Sequence, residues 1–273
     1  METGIRGEIM ENFTVYNETV DELPIIIDLP HSGTFVPETI KSKMVPGRIL
    51  PNVDWFLPEL YDFLPQNGFT TLQNNLHRYI ADPNRDLSMT DVNGDYRYEI
   101  VYSQTTFGKP IYQNKLTEEE IEQRITQFYQ PYHAKLQELI DHKLEKFDKI
   151  YLFDLHSFAE YPHEDVKTQD VVLGNRFDTT SSTAFRKFLT EQLNQKGYTV
   201  SNNHPFSGGY ITPHYGANKR VKSMQIELAY HMYIENRYFG EEELTGVDVG
   251  TFTTAKNSLQ SFFMEILNYI LTK

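Results

Sequence analysis

Three consecutive isoleucines, Ile25-Ile26-Ile27, lie between Pro24 and Pro30. Successive side chains of a strand point to opposite faces, so an unbroken apolar run needs cover on both sides. Leu23 to Leu29 therefore reads as a buried strand, opened and closed by proline. Further strands are expected at Phe69 to Leu72, Tyr79-Ile80-Ala81, Ile150 to Phe153, Val171 to Leu173, Tyr198 to Val200 and Ser223 to Leu228. Between them lie helical patterns. Val53 to Leu64 reads as a helix interrupted early by Pro58. Thr117 to Phe147 opens with a Thr117/Glu120 capping box and carries Ile121, Ile125, Phe128, Tyr132, Leu136, Leu139, Ile140 and Leu144 on one face. Pro131 should kink or split it. Ser182 to Lys196 and Thr254 to Leu271 read as two more helices. Such alternation of strands and helices predicts an α/β fold, a three-layer α/β/α sandwich.

The chain has 273 residues and no repeat, linker or low-complexity tract, so one domain over 1–273 is expected, with residues 1–22 peripheral. Its net charge of −13 argues against nucleic acid or an anionic membrane as partner. No apolar run approaches the ~20 residues of a membrane span. No signal peptide is visible, and Met10 is a possible alternative start. With no cysteine, disulfides, thiolate metal sites and a cysteine nucleophile are excluded, and cytoplasmic residence fits. Nothing in the sequence fixes the oligomeric state.

Polar clusters end the apolar strands. Pro30-His31-Ser32-Gly33 follows the isoleucines, Asp154-Leu155-His156-Ser157 follows Tyr151-Leu152-Phe153, and Glu227 lies in Ser223-Met224-Gln225-Ile226-Glu227-Leu228. Parallel strands bring their ends together, so two strand-borne histidines suit a metal better than one does. Asp54, in Asn52-Val53-Asp54-Trp55, is the chosen third ligand, although an aspartate at a helix start is also an ordinary cap. Asp154 shares a strand face with His156 and either orients a ligand or bonds a loop backbone. Glu227 is read as a general base rather than as the ion-pair partner of Lys222 or Arg220. Arg78 and Arg85, with Asn84, suit an anion, with surface pairing to Asp82 or Asp86 as the alternative. Gly208-Gly209-Tyr210 either lets backbone approach a ligand or makes a plain turn. His133 and His142 are expected to be structural, His163 to sit in a loop near the site, and His77, His204, His214 and His231 have no assigned role.

Taken in order, these segments resemble the N-formylglutamate amidohydrolase family from about Leu23 to Tyr233. The landmarks include Pro30-His31-Ser32-Gly33, Val53-Asp54-Trp55, Arg78-Tyr79 with Asp82-Pro83-Asn84-Arg85, Gln104-Thr105-Thr106, Pro131-Tyr132-His133, Asp154-Leu155-His156-Ser157, Gly208-Gly209-Tyr210 and Gln225-Ile226-Glu227. Pro83 departs from the pattern, which often has an aliphatic residue there. The resemblance implies a zinc-peptidase-like fold with a mixed sheet. It implies a Zn2+ ion on His31, Asp54 and His156, with Glu227 as base. It further implies that Arg78, Asn84 and Arg85 bind substrate carboxylates or the oxyanion, with Gly209 and Tyr210 beside them. The expected substrate is a small anionic N-acyl amino acid, N-formyl-L-glutamate of histidine degradation above all. A related deacylase or carboxypeptidase with another substrate, or a non-catalytic metal-binding relative, is the alternative.

Overall fold

The computed structural model describes residues 11–20, 22–89, 96–159 and 169–272. In the first half, β1 (Phe13–Tyr16) and β2 (Ile25–Leu29) precede three one-turn helices, α1 (Glu38–Lys41), α2 (Leu57–Leu60) and α3 (Phe63–Gln66), and then β3 (Thr70–Asn74). Next come α4 (Glu118–Arg124), α5 (Gln130–Lys146), β4 (Ile150–Phe158) and β5 (Val171–Gly174). The chain continues through α6 (Thr183–Gln195), β6 (Val200–Asn202), α7 (Ile211–Gly216), β7 (Val221–Ala229) and α8 (Val249–Leu271).

Local chemistry explains most boundaries. The Thr117/Glu120 capping box forms and starts α4. The long helical pattern is then divided by a π-turn at Ile125–Tyr129, after which Pro131 sits in the first turn of α5, where a missing N–H costs no helix bond. Asp248 caps α8 through the Thr251 N–H, so that helix begins before the expected Thr254. Gly197, at φ +90°, ends α6. Tyr79-Ile80-Ala81 departs from expectation: it is a turn, apolar because Tyr79 stacks on Tyr102 at 4.6 Å between centroids. Phe13–Tyr16, in the segment expected to be peripheral, pairs as an edge strand.

The seven strands form one mixed sheet in the order β1-β3-β2-β4-β7-β5-β6. The central four, β3, β2, β4 and β7, run parallel, while β1 and β5 join antiparallel. The fold is thus α/β with a mixed sheet between helices. One sheet face is apolar along its length: Ile25, Ile27, Tyr151, Phe153, Met224 and Ile226 pack with Leu259, Phe262, Phe263 and Ile266 of α8. Each such fully buried large side chain stabilises the fold by about 1.5–3 kcal/mol. The opposite face changes character along the strands. Ile26, Ile150, Leu152 and Val221 pack under Tyr132, Leu136 and Ile140 of α5. Further toward the carboxyl ends, the same face carries Asp28, Asp154, His156, Gln225 and Glu227, all buried. Among the described residues, no helix is long and apolar enough to cross a membrane.

Candidate active site

That polar end of the sheet is where the sequence-selected groups meet. His31 lies two residues past the end of β2, whereas His156 lies inside β4, which runs five residues beyond the expected end at Phe153. The two imidazoles, one just past β2 and one inside the adjacent parallel strand β4, have centroids 4.7 Å apart. Asp54 comes from the loop after α1. Its backbone N–H donates to the His31 carbonyl at 3.0 Å, which ties that loop to the end of β2. It caps nothing: α2 starts at Leu57 behind Phe56, with no side-chain cap. Instead Asp54 Oδ2 lies 3.0 Å from His156 Nδ1 and 4.0 Å from His31 Nδ1.

The other ring nitrogens face carboxylates. His31 Nε2 is 2.7 Å from Asp82 Oδ1, and His156 Nε2 is 2.7 Å from Asp154 Oδ1. The Asn84 amide nitrogen lies 3.1 Å from that same nitrogen of His156. Behind His31 Nε2, the Asp82 carboxylate favours the tautomer with its lone pair on Nδ1, the arrangement of metal-bound histidines. One ligand atom each from His31, Asp54 and His156 then lies within 4.8 Å of the other two, all three residues buried. Two imidazoles and one carboxylate are a donor set suited to a divalent ion such as zinc; burial would lower His156, but Asp154 and Asp54 raise it well above its usual range, so metal binding would displace its proton. The residues fit the group that the sequence implied.

Burial drives His31 down to about 4, with the nearby Arg78 charge adding to the effect, so its ring is neutral and available as a ligand. Burial alone would raise Asp82, but Arg78, His31 and Arg85 hold its carboxyl well below the usual range. Arg78 donates from Nε and Nη2 to Asp82 Oδ2 at 3.1 and 2.8 Å, and Tyr102 donates to the same oxygen at 2.8 Å. The ion pairing expected as the alternative for Arg78 is therefore present, inside the site rather than on the surface. Asp82 is the principal residue missed by the sequence reading, which saw it only as an arginine's partner.

Glu227 faces His156 in register across β4 and β7. Neither Lys222 nor Arg220 pairs with it; both bond backbone carbonyls elsewhere. Gln225 donates from Nε2 to Glu227 Oε1 at 2.8 Å and accepts the Gly209 N–H at 2.7 Å. Burial pushes Glu227 up to about 7; His156 and Arg78 act against that rise, and Asp54 and Asp154 reinforce it.

A cavity of about 550 Å³ opens over these groups and is lined by His31, Asp54, His156, Glu227, Arg78 and Arg85, with Asn84 and Gly209 also in its wall. The Nε of Arg85 is buried without a hydrogen-bond partner among the described residues. Asn84 accepts the Ile211 N–H at 2.9 Å, and a Cβ on Gly209 would fall 2.5 Å from its amide, so glycine is required by close approach there. Tyr210 is the residue that the structure does not bring in. It precedes α7, outside the cavity lining, and its ring packs 4.6 Å from His214 and 5.5 Å from His133. His133 bridges Pro83 O and the Tyr215 hydroxyl, and His77 contacts Leu50 O. His163 lies outside the described residues.

The family model for N-formylglutamate amidohydrolase matches residues 23–234. An N-formylglutamate deformylase of Pseudomonas putida is 32% identical over 225 residues, covering 78% of this chain and 82% of the relative. That of Pseudomonas aeruginosa is 30% identical over 228 residues, covering 79% and 84%. The crystal structure of N-formylglutamate amidohydrolase from Ralstonia eutropha JMP134 superposes with a TM-score of 0.80 at 28% identity, over 96% of this chain and 99% of that one. A gene product of Agrobacterium tumefaciens shares the fold at TM-score 0.74 and 14% identity, over 96% of each chain. Fold and site together define an α/β protein with a buried His/Asp/His centre at the carboxyl end of its parallel strands. The chain belongs to the N-formylglutamate amidohydrolase family.

Proposed function

We propose that this chain is a zinc-dependent, single-domain amidohydrolase that cleaves N-formyl-L-glutamate to formate and glutamate. The observation that carries the reading is the convergence of His31, Asp54 and His156 beside Glu227 in a cavity lined by arginines. His31 Nδ1, His156 Nδ1 and an Asp54 oxygen would hold the ion. Bound there, zinc supplies Lewis acidity, which makes water nucleophilic near neutral pH and polarises an acyl oxygen.

The protein's own groups do the rest. Glu227 accepts a proton as water adds to the formyl carbon, and Gln225 keeps its carboxylate oriented. The same proton passes to the amide nitrogen as the C–N bond breaks, which releases the amine and formate. Arg78, fixed by Asp82, places positive charge where the acyl oxygen becomes negative. Arg85 offers its unpaired Nε–H to a substrate carboxylate and sets the angle of attack. Asn84 and Gly209 shape the wall beside it.

The test is metal analysis of the purified chain together with formate release from N-formyl-L-glutamate. One metal ion per chain, activity lost to a chelator and activity restored by zinc are expected. A metal-loaded chain that releases no formate refutes the substrate, and turnover that survives complete metal removal refutes the mechanism. A second reading, a deacylase of larger N-acyl amino acids, is favoured by the aromatic walls Trp55, Phe206 and Phe239. The same assay on a panel of acyl groups separates the two.

A further inference from the structure

Asp28 lies in the middle of the apolar run of β2 and is fully buried. It pairs in register with Asp154 across two parallel strands, about 4.8 Å apart by sheet geometry, so the two acidic side chains stand side by side on one face. The oxygens of Asp28 are used unequally. Oδ1 accepts the Tyr132 hydroxyl at 2.5 Å, and Oδ2 is buried with no hydrogen-bond partner. On Asp154, Oδ2 accepts the Thr212 hydroxyl at 3.0 Å, while Oδ1 lies 2.7 Å from His156 Nε2 and, with two lone pairs, keeps room for a second donor. Asp82, behind the other histidine, is neutralised by Arg78. No cation lies against Asp154 apart from His156 itself among the described ion pairs.

We propose that Asp28 is a positioning residue for His156: in its acid form it donates from Oδ2 to Asp154 and so braces the carboxylate that holds the imidazole. Burial and the adjacent Asp154 both push the Asp28 carboxyl well above its usual range, in keeping with a retained proton. The relay runs Tyr132 to Asp28 to Asp154 to His156. It rests on reading His156 as a metal ligand.

The experiment measures zinc affinity by competition with a chromogenic chelator for the intact chain and for Asp28→Asn, Asp28→Leu and Tyr132→Phe. Asparagine keeps a neutral donor and should bind zinc within about 3-fold of the parent, whereas leucine should weaken binding by about 10- to 100-fold, the usual cost of losing a group behind a ligand. Tyr132→Phe frees Oδ1 and should weaken binding to an intermediate extent. A folded Asp28→Leu chain with parental affinity overturns the proposal, as does an asparagine variant as weak as the leucine one. Should the leucine variant fail to fold, parental affinity in Tyr132→Phe overturns it instead. If the parent chain itself binds no zinc, the metal reading fails, an outcome distinct from a parent that binds and variants that match it.

Discussion

Replacing Glu227 by glutamine separates proton transfer from everything else in the site. The amide has the shape of the carboxylate, and its oxygen still accepts the Gln225 Nε2–H bond that Glu227 Oε1 takes at 2.8 Å. His31, Asp54 and His156 keep their contacts, so metal content should stay at the parental level. What disappears is the carboxylate proposed as base, which faces His156 in register. Such a base contributes about 10²- to 10⁴-fold to turnover, or about 2.7–5.4 kcal/mol of barrier. The pH profile supplies a second signature. Burial sets Glu227 to about 7 in the metal-free protein, and a bound cation draws it lower. The acidic limb of kcat/KM in the parent should therefore rise to a plateau at or below about pH 7. Glutamine does not titrate, and the variant should lose that limb along with the rate. Formate release, followed with a coupled formate dehydrogenase across the pH range, reads both effects. Parental turnover in a metal-replete Glu227→Gln chain, or an unchanged acidic limb at reduced rate, would refute the assignment of the base.

Other perturbations follow from contacts already described. Gly209→Ala puts a methyl 2.5 Å from the Asn84 amide, which the Ile211 N–H pins in place; kcat/KM should fall by about 10- to 100-fold, as displacements near 1 Å do, and an unchanged value would show that Asn84 has room to move. Gly33→Ala is harsher for the fold, since its Cβ would meet the Asn75 backbone at 2.3 Å and backbone cannot swing aside; denaturant unfolding should show a loss of about 3 kcal/mol or more, and parental stability would contradict the packing there. His77 is held down to about 4, first by burial. Below about pH 6.5 the unfolded chain therefore binds a proton that the folded chain refuses, and stability falls by up to about 1.4 kcal/mol per pH unit until about pH 4. Urea unfolding of the parent and His77→Gln through that window should show a shallower slope in the variant, and identical slopes would exclude His77 as a contributor.

The sequence was most readable where one physical demand dominated. An isoleucine run bounded by prolines has few folds open to it, and β2 forms with His31 two residues past its end. Glu227 was legible for a related reason: a carboxylate at an alternate position of a strand must be paired or put to use. Asp54 was ambiguous because a helix-start aspartate has an ordinary explanation, and only the tertiary path showed Leu57, not Val53, opening the helix. Asp82 was seen with the right partner but the wrong purpose; that Arg78 binds one of its oxygens while His31 meets the other is a fact of three dimensions. Asp28 sits within an apolar run and gave no sign that Asp154 would stand opposite. Tyr79-Ile80-Ala81 reads as a strand yet folds as a turn because aromatic packing and sheet burial leave the same apolar trace in so short a segment.

The division of labour between strands and loops sets how such a protein can change over time. His156 and Glu227 are rungs of one ladder, so their spacing is inherited from backbone pairing, and His31 lies two residues past the end of the next strand. Trp55, Phe206, Tyr238 and Phe239, which bound the same cavity, all hang from connecting segments. Substitutions there alter the shape of the cavity while leaving the strand-borne groups in place. A loop substitution can thus reshape the cavity without disturbing the strand register that spaces His156 and Glu227.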